Sequence, residues 1–467
     1  MANVKATNMS DGTNTAYFLN ALKVDDDMLI LYNEENELIN STVDLRDLRT
    51  QSDGEETSVS GDGRQKVYYA NDHITEITAN SNCTSAFNKL INDVYNNGGG
   101  VIKLDGIVYT VSAIYLLPGV YIEGAGMGNT IIKRLEGTQL GGDFTDINNI
   151  GHGFVNVKKD SCNIGLRNLT LHGNCINNPD SENMVNYIDF TPGEAVIHGL
   201  AFQDCENENS SNNGAFIIDN LELCNDPGSI IITGAEERVR KYASIENVAI
   251  IGFSGHGVYI GGNNKEITLN NVQIIDNFKT GIKNYGTDCV FNQVRIKNVY
   301  DDGIDNQGNN NRFNNIHLSS NGLNKHSGYA LHCYADNNTF VNIHLIDNWC
   351  NGIYIQGYNN IFNALLIDSN GYTSKLSSEE WNMTPQDTTL IYMNNCQKCI
   401  IQASISNYRS SPAPRIPLEM ISSRYNIIDI TQASNVAKEK SSVNGTEITN
   451  NITNETIVDN IVRYLQS

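Results

Sequence analysis

The sequence predicts an all-β chain wound as a solenoid, and three observations carry that expectation. An apolar triplet recurs about every 22 residues between Ile245 and Gly371. It is anchored on Val248, Val272, Val294, Ile316, Ile343 and Leu365. Ile245, Leu269, Phe291, Phe313, Phe340 and Phe362 stand three positions earlier, and Ile250, Ile274, Ile296, Leu318, Leu345 and Ile367 two later. Next, a glycine returns nine positions after the anchor at Gly257, Gly281, Gly303 and Gly352, while the fourth repeat carries extra residues around Asn321–Ser327 and reaches its glycine late, at Gly328. Finally, the segments alternate apolar with polar residues between Asn, Gly and Asp, the pattern of short strands joined by tight turns. A period of this length marks stacked units that cannot bury their apolar face alone. The steps between anchors, 24, 22, 22, 27 and 22 residues, are too short for paired-helix repeats, and the spaced framework of leucine-rich repeats is missing. The expected coil is a parallel β-helix with rungs of about 22 residues.

Elements follow in chain order. Val24–Leu45 alternates polar and apolar residues and predicts a small β element, and Gln51–Arg64 is polar and reads as a linker, so residues 1–75 form a separate N-terminal segment. A helix follows: Thr84 or Ser85 offers the N-cap, Phe87, Leu90, Ile91 and Val94 form one apolar face, and Gly98–Gly100 end it. Residues 76–430 are assigned to the solenoid, with an excursion at Ser374–Asp387, and 431–467 to a C-terminal cap or oligomerisation tail. In that tail Ile457, Ile461, Val462 and Leu465 predict a short helix packed on the coil or on sister chains, since such a helix is marginal alone.

Composition narrows the function classes. A net charge of −22 argues against nucleic acid as a partner, because phosphate binding needs clustered Lys and Arg. No run approaches 18 apolar residues, so no membrane span is expected. The N-terminus lacks the charged start and apolar stretch of a signal peptide, which predicts synthesis in the cytoplasm. Ten cysteines, among them Cys162, Cys205, Cys289, Cys333 and Cys350, show no disulfide spacing and read as small buried residues. Cys396 and Cys399 form a lone CxxC without a second pair.

The order of capped helix, Gly-Gly-Gly, strand, Leu116-Leu-Pro-Gly119, strand, Gly124-Ala-Gly-Met-Gly128 and strand resembles the start of the pectate-lyase-like superfamily, and Asn163–Asn174 looks like its next rung. The resemblance covers roughly residues 80 to 430 and implies a right-handed parallel β-helix that acts on polysaccharide. Gly124–Gly128 precedes a strand rather than a helix, so it offers no phosphate cradle. Gly255-His256-Gly257 and Arg295-Ile296-Lys297 resemble fragments of the polygalacturonases. The preceding rungs contain neither the Asn-Thr-Asp nor the Asp-Asp pattern of that family, so no residue role is carried over.

Strand alternation assigns the faces. Val258/Ile260, Ile282/Asn284, Ile304/Asn306, Tyr329/Leu331 and Ile353/Ile355 are expected to point inward, with Asn284 and Asn306 as an internal amide ladder. The outward set is Tyr259, Lys283, Tyr285, Asp305, Gln307, Tyr354 and Gln356, with His332 nearby. Rungs stack at about 4.8 Å, so these form one stripe of rings and hydrogen-bonding groups suited to sugars. An ordinary solvated sheet face has the same alternation; the inserted Leu323–Ser327 beside the stripe favours a groove.

Asp301, Asp302 and Asp305 concentrate at one point of the stripe. Clustered carboxylates repel, the condition for a general acid beside an ionised base or nucleophile, so these three are the candidate catalytic residues of a glycosidase. Asp-Asp-Gly is also favourable turn chemistry. Ca²⁺ would suit the same carboxylates, though the sequence offers no full ligand set, and no organic cofactor is expected. A more basic stripe of Gln273, Arg295, Lys297, His317 and His344 offers an alternative surface for an anionic polymer.

A leaderless chain with this fold resembles a phage tailspike or tail appendage, which implies a virion location, a homotrimer, attachment to other tail proteins through the N-terminus, and a host cell-surface polysaccharide or teichoic acid as ligand. Hydrolysis is expected ahead of elimination. A non-cleaving glycan adhesin and a free bacterial polysaccharide lyase or hydrolase are the alternatives.

Overall fold

In the computed structural model, three left-handed residues turn the chain through each of the rungs anchored on Val272, Val294, Ile316 and Ile343 of a parallel coil. The structure describes residues 21–25, 28–32, 43–44, 66–73, 81–137, 153–157, 163–174, 198–202, 216–224, 230–232, 243–251, 256–262, 264–277, 279–322, 329–349, 351–368, 389–406, 416–432, 442–443, 446–447, 455–457 and 460–466. The expected linker Gln51–Arg64, the insertion Leu323–Ser327, the excursion Ser374–Asp387, and Cys162, Cys205 and Cys350 lie outside them. The chain divides into two compact units, Met1–Lys66 and Val67–Ser467. In the first, Ala21–Asp25, Met28–Tyr32 and Val43–Asp44 pair antiparallel, so the alternating segment forms a small sheet.

The second unit is the right-handed parallel β-helix. One sheet of 13 strands runs from Ile114–Leu116 to Thr446–Glu447, and every pairing in it is parallel but the last. The other sheet stacks the eight-residue segments that carry the apolar triplet, from Ser244–Ile251 through Ile361–Asp368. Each of those segments is bent once, just before its anchor, by a residue with positive φ: Asn247, Asn271, Gln293, Asn315, Asn342 and Ala364. A second such residue follows the strand (Asp276, Asn298, Ser320, Asp347) and a third precedes it (Glu266, Asp288, Asn310, Asn337, Asn359). Asn and Asp tolerate this region better than other side chains with a Cβ.

Inside, Phe291, Phe313, Phe340 and Phe362 stack face to face at 4.4, 4.6 and 4.3 Å between ring centroids. At the corners, buried asparagines replace the missing strand partner. Cys289 N–H donates to Asn311 Oδ1 at 2.8 Å, Asn311 N–H to Asn338 Oδ1 at 2.8 Å, and Asn338 N–H to Asn360 Oδ1 at 3.0 Å. Asn284 Nδ2 donates to Asn306 Oδ1 at 2.8 Å, the expected internal amide pair. Cys83, Cys289, Cys333, Cys396 and Cys399 are buried and free, and the Cys396 thiol donates to Ile355 O at 3.0 Å.

Three expectations are corrected. The helix spans Thr84–Asn96, but Cys83 precedes it without a side-chain cap, and the Thr84 hydroxyl bonds Asn82 and Ser112 instead. The tail Asn460–Gln466 is a strand, not a helix. Its apolar residues extend the second sheet by pairing in register with Ile427–Gln432, so the coil's open edge, rather than a marginal isolated helix, sets its conformation. Glu455–Ile457 then folds back antiparallel against it. In the inserted rung, Leu331 and Cys333 pair with Ile304 and Asn306, so they are the inward pair and Tyr329 sits at the corner. Ala330 O, not that of Gly328, lies against Gly303, because the insertion is two residues longer than the glycine spacing implies.

Ala364 carries a left-handed backbone (φ 56°) without a polar side chain to favour it. Ala364→Asn is expected to stabilise the coil by about 1 kcal/mol, read as a higher urea midpoint at unchanged slope; a lower midpoint would show that the bend is not strained.

Candidate functional site

The outer face of the 13-stranded sheet gathers its chemistry because parallel register repeats one position from rung to rung. Tyr259 lies against Lys283, Lys283 against Asp305, Asp305 against His332, His332 against Tyr354, Tyr354 against Tyr392, and Tyr392 against Glu419. The predicted stripe is therefore one continuous column, with His332 in it. Tyr392 and Glu419, which sequence reasoning missed, continue it beyond the Ser374–Asp387 excursion. Tyr285, Gln307, Tyr334 and Gln356 stand two residues further along their strands.

Asp302 occupies the corner. Its carboxylate accepts the Tyr329 N–H at 2.7 Å and lies 3.2 Å from His332 Nδ1. His332 Nε2 is buried and has no hydrogen-bond partner. The rings around it are those of Tyr329, Tyr334 and Tyr354, with centroids 4.7, 4.5 and 4.9 Å from the imidazole. Tyr334 is 40% exposed, and its phenol is pushed up to about 12 by burial and by Tyr354, Asp305 and Asp302, so it keeps its proton at neutral pH. Both carboxylates therefore act on the same phenol. Tyr329 is raised further, chiefly by burial.

Asp305 is only 5% exposed although it faces outward. It is 3.4 Å from Lys283 Nζ and accepts from Gln307 Nε2 at 3.1 Å. Burial works against the Lys283 ammonium, but Asp305 and Tyr285 outweigh it and hold its pKa above the usual lysine value. Lys283 Nζ also lies 5.6 Å from the centre of the Tyr285 ring. Tyr354 is fixed by donating to Gln356 Oε1 at 3.1 Å and accepting from Asn394 Nδ2 at 3.2 Å. Asp301 borders the group at the turn, and its charge acts on Tyr300. No group of three or more His, Cys, Asp or Glu among the described residues is placed to hold a metal ion.

The basic stripe lies on the other sheet: Gln273, Arg295, His317 and His344 form one column, with Lys297 two residues beyond Arg295. The structure brings none of these to the Asp302–His332 group.

Burial, with Lys279 and Lys283, holds the His256 imidazole down to about 3 from its ordinary 6.5. The unfolded chain binds this proton more readily, so the contribution of His256 to stability is complete above 6.5 and is lost as pH falls toward 3. Its imidazole resonances are expected not to titrate between pH 5 and 8; a midpoint near 6.5 would mean that the ring is solvated.

No protein-family model matches the chain. Over 92 residues, 18% of this chain, it is 36% identical to mannuronan C5-epimerase AlgE4 of Azotobacter vinelandii, and the match spans 15% of that protein. The A-module of mannuronan C-5 epimerase AlgE6 from the same organism superposes with a TM-score of 0.57 at 14% identity, covering 86% of this chain and 99% of the module. The enzymatically active domain of bacteriophage CBA120 tailspike protein 2 aligns with a TM-score of 0.46 at 12% identity, over 87% of this chain and 50% of that one. By fold, the chain is a right-handed parallel β-helix protein.

Proposed function

We propose that the chain binds a uronate-containing polysaccharide along the Tyr259–Glu419 column and removes the proton next to a sugar carboxylate. The observation that carries this reading is the Asp302–His332 pair: a carboxylate holds Nδ1, leaving Nε2 without a partner in the protein. An imidazole so oriented is a proton acceptor. A sugar reaches the buried Nε2 only if the part-exposed Tyr334 ring beside it moves aside. Lys283 faces the substrate carboxylate and offsets the charge that builds on it as the C5 proton leaves. In elimination the C5–H electrons form the C4=C5 bond, the C4–O bond breaks, and the departing oxygen takes the Tyr334 proton. In epimerisation the C4–O bond stays, and the phenol returns a proton to the opposite face of C5. The local likeness to mannuronan C5-epimerases supports a carboxylate-bearing sugar.

Hydrolysis through Asp302 and Asp305 is the second reading, favoured by the convergence of both carboxylates on Tyr334. The wider setting we propose is host-surface recognition by a phage tail appendage: a homotrimer carried in the virion, with other tail proteins held at the N-terminal segment and a cell-surface polysaccharide, or a teichoic acid, as ligand. A small N-terminal unit distinct from the coil supports that layout.

His332→Gln and Asp302→Asn are each expected to lower kcat by about 10²–10⁴-fold while binding persists. Reaction in D₂O separates the outcomes. Deuterium at C5 without shortening means epimerisation, and shortening with new ultraviolet absorbance means elimination. Shortening without absorbance, abolished by Asp305→Asn but not by His332→Gln, would replace this reading with hydrolysis. Light scattering should give about 155 kDa, three chains of 51.5 kDa; a monomer mass would remove the trimer.

A further inference from the structure

The column is electrostatically one-sided. On the N-terminal side of the Asp302–His332 group, Lys283 sits in the column itself, and Lys279 is close enough for both ammonium groups to act on His256. On the C-terminal side the next three residues are Tyr354, Tyr392 and Glu419. The Tyr354 and Tyr392 rings lie 5.3 Å apart at 29°, a platform on which a sugar ring can stack. Glu419 is held beside that platform, its Oε2 accepting from Thr389 Oγ1 at 3.3 Å, and its charge acts on Tyr392 and Tyr329. No Lys or Arg occurs among the described residues of the column beyond His332.

A carboxylate-bearing sugar on that platform would meet the Glu419 carboxylate with no cation in the column to offset it, whereas the hydroxyls of an uncharged sugar can donate to it. We infer that the substrate is a mixed polymer, in which a uronate lies over Lys283 and His332 and an uncharged sugar occupies the Tyr354–Tyr392–Glu419 side. This rests on the proposed uronate chemistry and deepens it: a uniform polyuronate fits one half of the column only.

The test measures binding of full-length wild type, Glu419→Gln, Glu419→Lys and Lys283→Gln to defined oligosaccharides. The set comprises uniform mannuronate, guluronate and galacturonate oligomers, oligomers alternating a uronate with a neutral hexose or N-acetylhexosamine, and wholly neutral oligomers of those same sugars. Wild type should prefer alternating oligomers, and Glu419→Lys should shift the ratio toward uniform ones by about tenfold or more. Glu419→Gln should move the ratio part of the way, and Lys283→Gln should weaken both classes together. An unchanged ratio in both Glu419 variants, with uronates still bound through Lys283, would overturn the mixed-polymer inference alone. Binding of neutral oligomers only, insensitive to Lys283→Gln, would overturn the uronate reading and this inference with it.

Discussion

Backbone polarity at the corners is the constraint on which the rest of this molecule depends. Strands give their amides to the next rung, but at a corner the chain turns inward and its N–H groups lose that partner. Leaving one buried amide unpaired costs about 1–3 kcal/mol, and a long coil repeats the problem at every rung. This chain solves it with carboxamides: Asn311, Asn338 and Asn360 each accept the N–H of the preceding rung, and Asn426 and Asn460 do the same further on. The surface asparagines then serve the opposite need, adopting the left-handed backbone that bends the chain. One residue type thus fixes both the angle of the turn and its internal hydrogen bonds.

With the corners fixed, the flat sheet between them holds register, and register makes the site. Seven residues far apart in sequence, from Tyr259 to Glu419, stand in line because each occupies the same position of its rung. The inserted rung keeps that line despite its extra length, since Leu331 and Cys333 fill the interior and His332 is left facing out. The strand Tyr329–Cys333 delivers both the imidazole and the backbone N–H that hold the Asp302 carboxylate. The acidic balance of the whole chain says little about this face, where one partly buried ammonium is matched to one buried carboxylate.

Much of this was legible in the sequence, and the failures have physical causes. The period of the apolar triplet identified the coil, and two-residue alternation placed Tyr259, Lys283, Asp305 and Tyr354 on one outer column. The glycine spacing failed at the inserted rung because Ala330 fits where glycine was expected, a substitution that no period reveals. Tyr392 and Glu419 escaped because the Ser374–Asp387 excursion interrupts the repeat. Ile457, Ile461 and Val462 suit a helix or a strand when taken alone; the unpaired edge of Ile427–Gln432 decided between them. The pairing of His332 with Asp302 spans 30 residues and a turn, beyond the reach of any local pattern.

Among the described residues, both sheets end on a reversed strand. Thr446–Glu447 runs antiparallel to Ser442–Val443, and Glu455–Ile457 antiparallel to Asn460–Gln466. A parallel stack is a template that any similar strand could extend, and end-to-end growth of such stacks is the geometry of amyloid. Turning the final strand around presents the wrong polarity to an incoming rung. The two reversed strands thus act as stops, disfavouring parallel growth of the stack on that side of the described coil.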